Sequence, residues 1–271
     1  MLTAAGLEYE VSGAGEPVLF IHGGIVSDAD LPLMSQPALS GYRLIRYHRR
    51  GFGGSAPHSG PASIAGQARD ALALLQALEV RRAHVVGHSF GGVIAMQLAF
   101  DAPSVVQALV LSEPALFLKQ PQARQAGSGP IAAASQRVAA GDYVGAVDVV
   151  MRGIAGEDWR SEVNKTIPGA AEQADRDAAV FPVESPALSQ WPFGVDEAKA
   201  IQQPVLSIIS TGHGPVASPG RQLLHEWLPQ TEDCDVAGAN HLLQFHSPTS
   251  SALVAEGIAA FLSRHPMTSK S

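Results

Sequence analysis

Cysteine is almost missing: Cys234 is the single one among 271 residues. One thiol makes no intrachain disulfide, no Cys-x-x-Cys redox pair and no thiolate metal cluster. Charge is also sparse, at 16% of residues, and 25 acidic against 18 basic side chains leave a net charge of −7. That balance argues against nucleic acid and against an anionic membrane surface as partners. No apolar run reaches the roughly 18 residues of a membrane-spanning helix, because charge or glycine interrupts each one. The first 20 residues lack a basic start and a long apolar stretch, and they carry Glu8, Glu10 and Glu16. They do not read as a secretory leader, so the expected location is cytoplasmic. HExxH and close His/Asp clusters are absent too, so no metal is expected.

What is present is apolar. Hydrophobic residues make up 46% of the chain, enough for a sizeable core and too many for a disordered protein. Short apolar runs alternate with helical patterns in the first half. Strands are expected at 7–11, 17–21, 43–47, 83–87 and 108–112, and helices at 61–79 and 90–100. Ile64, Ala68, Ala71, Leu72, Leu75 and Leu78 recur near the 3.6-residue period that gives a helix one apolar face. Strands that alternate with helices and read as continuous apolar runs predict a parallel sheet covered on both faces, the α/β class. From 114 to 200 the rhythm changes to Ala-rich, helix-compatible stretches broken by Gly and Pro. Strand signal returns at 204–209 and 233–237, with helices at 221–227 and 249–264. The expected organisation is an α/β core formed by 1–113 and 201–271, with a helical cap inserted at 114–200.

The strongest chemical signal is Gly87-His88-Ser89-Phe90-Gly91-Gly92. It fits the G-x-S-x-G elbow, between a buried strand and a helix as that elbow requires. Gly87 and Gly91 leave room for backbone to approach, and the helix N-terminus points partial positive charge at the serine. A hydroxyl is a weak nucleophile without a base. His241, in Ala239-Asn240-His241-Leu242-Leu243, lies between the last strand and the last helix and is the favoured base. His84 reads as packed in a strand, His88 as turned to the opposite side of the elbow, His225 as a surface or packed helix residue, and His246 as near the last helix. Two backbone amides suit an oxyanion hole, one from Phe90 and one from His22-Gly23-Gly24 after the strand PVLFI. Arg49 and Arg50 read as braces for the loop after their strand. Trp191 and Phe193 either line an apolar acyl pocket or pack in the core.

The segments VLFIHGG at 18–24, RYHRRGFGGS at 46–55, VVGHSFGG at 85–92 and GANHLLQFHSP at 238–248 together resemble the α/β-hydrolase fold family. The resemblance implies a mostly parallel eight-stranded sheet whose second strand is antiparallel, no cofactor, Ser89 as nucleophile, His241 as base, and the Gly24 and Phe90 amides as oxyanion donors. It leaves the acid to be found. The family's commoner position, the loop after PVLSIIS, reads TGHGPVASP at 211–219 and contains no carboxylate. The family's other position, the end of the strand after the nucleophile helix, holds Glu113, as is similar in zearalenone lactonases and some haloalkane dehalogenases. The dehalogenases use an Asp nucleophile, which Ser89 excludes. Glu113 is therefore favoured over Asp235, Asp233 and Glu226.

The expected activity is cofactor-free hydrolysis of a small, largely apolar carboxylic ester or lactone through an acyl-enzyme. C–C bond hydrolysis, a perhydrolase activity and a nearly inert ligand-binding sensor would use the same residues. A small molecule is the expected partner; the sequence does not fix an oligomeric state.

Overall fold

The computed structural model of the protein describes residues 1–119, 128–212 and 217–267. Eight strands lie in one sheet: β1 (Leu2–Ala4), β2 (Leu7–Ser12), β3 (Glu16–Ile21), β4 (Tyr42–Tyr47), β5 (Ala83–His88), β6 (Val106–Ser112), β7 (Val205–Ser210) and β8 (Thr231–Val236). Their spatial order is β1-β2-β4-β3-β5-β6-β7-β8. β2 pairs antiparallel with both β1 and β4, and every other pairing is parallel. The sequence shows seven of these strands. The eighth, β1, is three residues long and mostly exposed at the sheet edge, so it carries no alternation to read.

Helices α1 (Leu31–Met34), α2 (Ile64–Ala77) and α3 (Phe90–Asp101) lie in the first half of the chain. Between β6 and β7 come α4 (Ser128–Ala139), α5 (Tyr143–Ala155), α6 (Trp159–Thr166), α7 (Ala170–Arg176), α8 (Phe181–Gln190) and α9 (Val195–Lys199). Then α10 (Ala217–Trp227) precedes β8, and α11 (Pro248–Arg264) follows it. The stretch 131–154, continuous and helix-compatible in sequence, is two helices. The chain turns at Gly141, whose φ is +75°, and the Asp142 side chain then caps α5 by accepting the Gly145 N–H.

Residue alternation along the strands builds a core on each face of the sheet. Leu19, Ile21, Val85, Leu109, Leu111 and Val205 pack with α2, α3 and α10. Their neighbours Val18, Phe20, Val86, Val110, Leu206 and Ile208 pack with α11 and Leu33 on the other face. The period of two in a strand makes both sets possible only if both faces are covered. The sheet edges are different: β8, sequence TEDCDV, exposes its acidic residues, which discourages pairing with another strand.

The helices after β6 have a smaller core of their own. Val147 and Met151 of α5, Trp159 and Val163 of α6, and Ala170, Ala171 and Ala174 of α7 pack on Val26 and Ala29 after β3 and on Leu242 and Phe245 after β8. This cluster therefore sits over the loops at the carboxyl ends of the strands, where ligands meet open α/β sheets. Among the described residues no helix is long and apolar enough to cross a membrane.

Candidate active site

The turn from β5 into α3 is built by close backbone approach. A Cβ on Gly91 would lie 2.0 Å from the Ile21 carbonyl oxygen, and one on Gly87 2.4 Å from the Gly91 carbonyl oxygen. No side chain fits at either place, as the elbow reading requires. Ser89, between them, has φ +51° and ψ −116°, a conformation that costs a non-glycine residue on the order of 1–3 kcal/mol. Its N–H donates to the Ser112 carbonyl at 2.9 Å and its carbonyl accepts from Gly92 at 3.0 Å and Ala115 at 3.0 Å, so the strained residue is held from three sides.

Three side chains from three loops meet here. The Ser89 Oγ is 2.9 Å from His241 Nε2, and His241 Nδ1 is 2.6 Å from Glu113 Oε2. Glu113 is buried directly after β6 with φ +43°, and its Oε1 accepts the Ser210 N–H at 2.9 Å. The end of β7, which precedes the family's commoner acid position, thus contributes a backbone donor to the carboxylate that comes from β6. Residues 213–216 of the loop at 211–219 lie outside the described residues. The competing carboxylates are engaged at the exposed edge: Asp235 and Asp233 with Arg221, Asp233 also with His225, and Glu226 with Gln222.

The two backbone amides expected as oxyanion donors lie close to each other beside the serine. Gly24 packs beside Phe90, since a Cβ on Gly24 would lie 3.8 Å from the Phe90 Cβ. Among the described residues neither the Gly24 nor the Phe90 N–H donates to a protein group. Phe90 is the first residue of α3, so its N–H has no acceptor within the helix and adds to the positive end of its dipole.

Two histidines beside the site are locked neutral. His22 accepts the Arg49 N–H on Nε2 at 3.0 Å, which puts its proton on Nδ1 for donation to the Gly23 carbonyl at 2.8 Å. Burial, then the Arg49 charge, holds its imidazole well below the usual histidine range. His88 donates from Nε2 to the His241 carbonyl at 2.9 Å, and its ring lies 5.0 Å from that of His241. Burial, and after it His241, pushes its imidazole down to about 3. The sequence places His88 on the far side of the turn from the chemistry. In the structure its ring lies against His241, and a Cβ on Gly23 would meet both His88 Nδ1 at 3.1 Å and the Ser89 Cβ at 3.5 Å, so His88 borders the site.

Trp191 and Phe193 do not converge on Ser89. They stack with ring centroids 4.4 Å apart, and Phe193 also meets Phe100 and Trp227. The Trp191 indole donates to Gln97 at 2.6 Å, on α3 about 10 Å beyond its start. Of the two sequence readings, packing in the sheet's own core describes them.

Asp30 ties the loop after β3 to the loop of His241. It is buried, and its Oδ1 accepts from Gln244 Nε2 at 2.9 Å. Burial pushes its carboxyl up to about 7, against the pull of Gln244 and Arg46. The folded state therefore holds this proton more tightly than the unfolded chain. The associated stability is complete below about pH 4 and is lost as pH rises through about 7. Asp30→Asn should exceed wild type by up to about 4 kcal/mol at pH 8.5 and by little at pH 4. Urea unfolding at the two pH values measures this, and an equal offset at both would show that Asp30 titrates as an ordinary carboxylate.

Residues 16–140 match the family described as alpha/beta hydrolase fold. The chain has the α/β-hydrolase fold. It is 40% identical over 108 residues to the "Putative carbamate hydrolase RutD" of Azorhizobium caulinodans, a match spanning 40% of each chain. The matched part is thus well under two thirds of that relative's length. Two solved α/β-hydrolase structures align along nearly the whole chain. A thermophilic esterase from Thermogutta terrifontis superposes with TM-score 0.78 at 20% identity, covering 96% of this chain and 94% of that one. Est816, described as an N-acyl homoserine lactone degrading enzyme, superposes with TM-score 0.67 at 25% identity, covering 93% and 96%.

Proposed function

We propose that this α/β-hydrolase-fold protein is a cofactor-free serine hydrolase of small, largely apolar carboxylic esters or lactones. The observation that carries the proposal is the unbroken contact from Ser89 Oγ through His241 to Glu113, with two unused backbone N–H groups beside the serine.

In this reading His241 Nε2 takes the Ser89 proton as Oγ bonds to the substrate carbonyl carbon. The carbonyl oxygen becomes an oxyanion and is held by the Gly24 and Phe90 N–H groups. Glu113 keeps the other imidazole proton on Nδ1 and offsets the positive charge that His241 gains. Collapse expels the alkoxide, which takes the proton from His241 and leaves an acyl-Ser89. Water then attacks the acyl carbon with His241 as its base; collapse breaks the bond to Ser89 Oγ, His241 returns the proton to that oxygen, and the acid departs. In a lactone the freed hydroxyl remains part of the acyl group, and the second step releases a single hydroxy acid. The helices between β6 and β7 act as a cap, because their core packs on the loops that carry Gly24 and His241.

The experiment pairs labelling with turnover. Purified protein is treated with a fluorophosphonate and offered p-nitrophenyl esters of graded length, γ- and δ-lactones and an aryl carbamate. The expected result is labelling of Ser89 and turnover of short to medium esters or lactones. Turnover confined to the carbamate would move the substrate class while keeping the mechanism. An unlabelled Ser89 with no turnover would overturn the proposal, and saturable binding without turnover would assign a sensor.

A further inference from the structure

Among the described residues Arg49 is the most deeply buried of the Arg, Lys, Asp and Glu side chains, with 1% of its side chain exposed, and its partner Glu184 of α8 has 4%. The Nη1 group donates to Glu184 Oε1 at 2.5 Å and to Gln67 Oε1 of α2. The Nη2 group donates to the Gly23 carbonyl at 2.8 Å. The guanidinium lies 4.8 Å from the Phe52 ring centroid and 4.9 Å from that of Phe90. A buried ion pair is a weak source of net stability, so its position asks for another account.

The Gly23 carbonyl and the Gly24 N–H belong to one peptide unit. In a planar trans peptide they point in opposite directions, so whatever grips the oxygen aims the hydrogen. Two donors grip this oxygen, His22 Nδ1 and Arg49 Nη2, both at 2.8 Å. A cation on the carbonyl also polarises the peptide and makes its N–H a stronger donor. The other end of Arg49 is anchored by a carboxylate on α8, between β6 and β7. From this arrangement we infer that Arg49, held by Glu184, is a positioning residue for the Gly24 oxyanion donor and makes that donor depend on the seating of α8. The inference rests on the serine-hydrolase reading for its kinetic consequence, though the clamp itself does not.

The test uses Arg49→Met with Glu184→Leu in one protein, which removes both charges and leaves neither buried alone, beside Glu184→Gln, which keeps the shape and removes only the anion. With p-nitrophenyl butyrate, the double variant should lose roughly 10- to 100-fold in kcat with KM within about 3-fold, a loss somewhat below that of deleting an oxyanion donor. Its inhibition by phenylboronic acid, whose serine adduct is tetrahedral, should weaken by a similar factor. Glu184→Gln should show the same pattern with a smaller loss. In ¹⁵N-glycine-labelled protein the Gly24 amide should shift and exchange faster in both. Unchanged kcat and boronate affinity would overturn the inference. So would a loss confined to KM, or an unaltered Gly24 amide. If wild type turns over no ester and Ser89 is not labelled, the serine-hydrolase reading fails instead, and the Gly24 amide alone decides the clamp.

Discussion

Ser89→Ala should abolish ester or lactone hydrolysis, with a loss in kcat of roughly 10⁴–10⁶, while leaving the fold intact. The Oγ is the atom in contact with His241 Nε2, and no neighbouring hydroxyl replaces it in the elbow. In a well-studied serine protease removal of the nucleophile costs on the order of 10⁶ in kcat. Ser89→Gly supplies a sharper test because the backbone is strained. At φ +51° and ψ −116° glycine is at ease where serine is not. The glycine variant should be as inactive as the alanine variant yet more stable than wild type by about 1 kcal/mol. Kinetics with the best ester and urea unfolding of all three proteins measure both. A Ser89→Ala enzyme retaining a tenth of the wild-type kcat would remove the serine from the mechanism. A destabilised Ser89→Gly would mean that the strain is not carried by this residue.

The parts of this molecule that could be read from sequence are those whose constraints are local. The elbow is one: an apolar strand, a glycine on each side of the serine and a buried helix fall within 19 residues. Glu113 was legible because it ends the apolar strand β6, where a carboxylate needs a partner. His241 was legible from its place between the last strand and the last helix. Three features depended on partners distant in the chain and were not legible. Arg49 looks like an ordinary loop brace until Glu184, 135 residues away, is brought against it. His88 reads in sequence as turned to the opposite side of the elbow, and only the return of the loop after β8 sets its ring against His241. Trp191 and Phe193 follow a helical stretch whose packing partners, Gln97, Phe100 and Trp227, lie on either side of it in the chain. Alternation and helical period tell which face of an element is buried. They do not tell what covers it.

Glu113→Gln is the most discriminating substitution, because the neighbouring amide determines what the glutamine can do. In the native site the carboxylate accepts on both oxygens, from Ser210 N–H and from His241 Nδ1. A glutamine has one oxygen and one NH₂. Facing its NH₂ to the Ser210 N–H would set donor against donor in a buried place, so the oxygen stays on Ser210 and the NH₂ turns to His241. His241 Nδ1 must then accept, its proton moves to Nε2, and Nε2 can no longer take the proton from Ser89. The variant loses both the charge that offsets the imidazolium and the tautomer that makes a base. A loss of about 10⁴ in kcat is expected, at the upper end of the 10²–10⁴ range and in line with the Asp-to-Asn change in a serine protease triad. KM should move little, since Glu113 lies behind the histidine. Asp235→Asn, by contrast, removes only an exposed contact to Arg221 and should leave kcat within about 2-fold. Near-wild-type turnover by Glu113→Gln, or a comparable loss in Asp235→Asn, would take the acid's role away from Glu113 while leaving Ser89 and His241 as a pair.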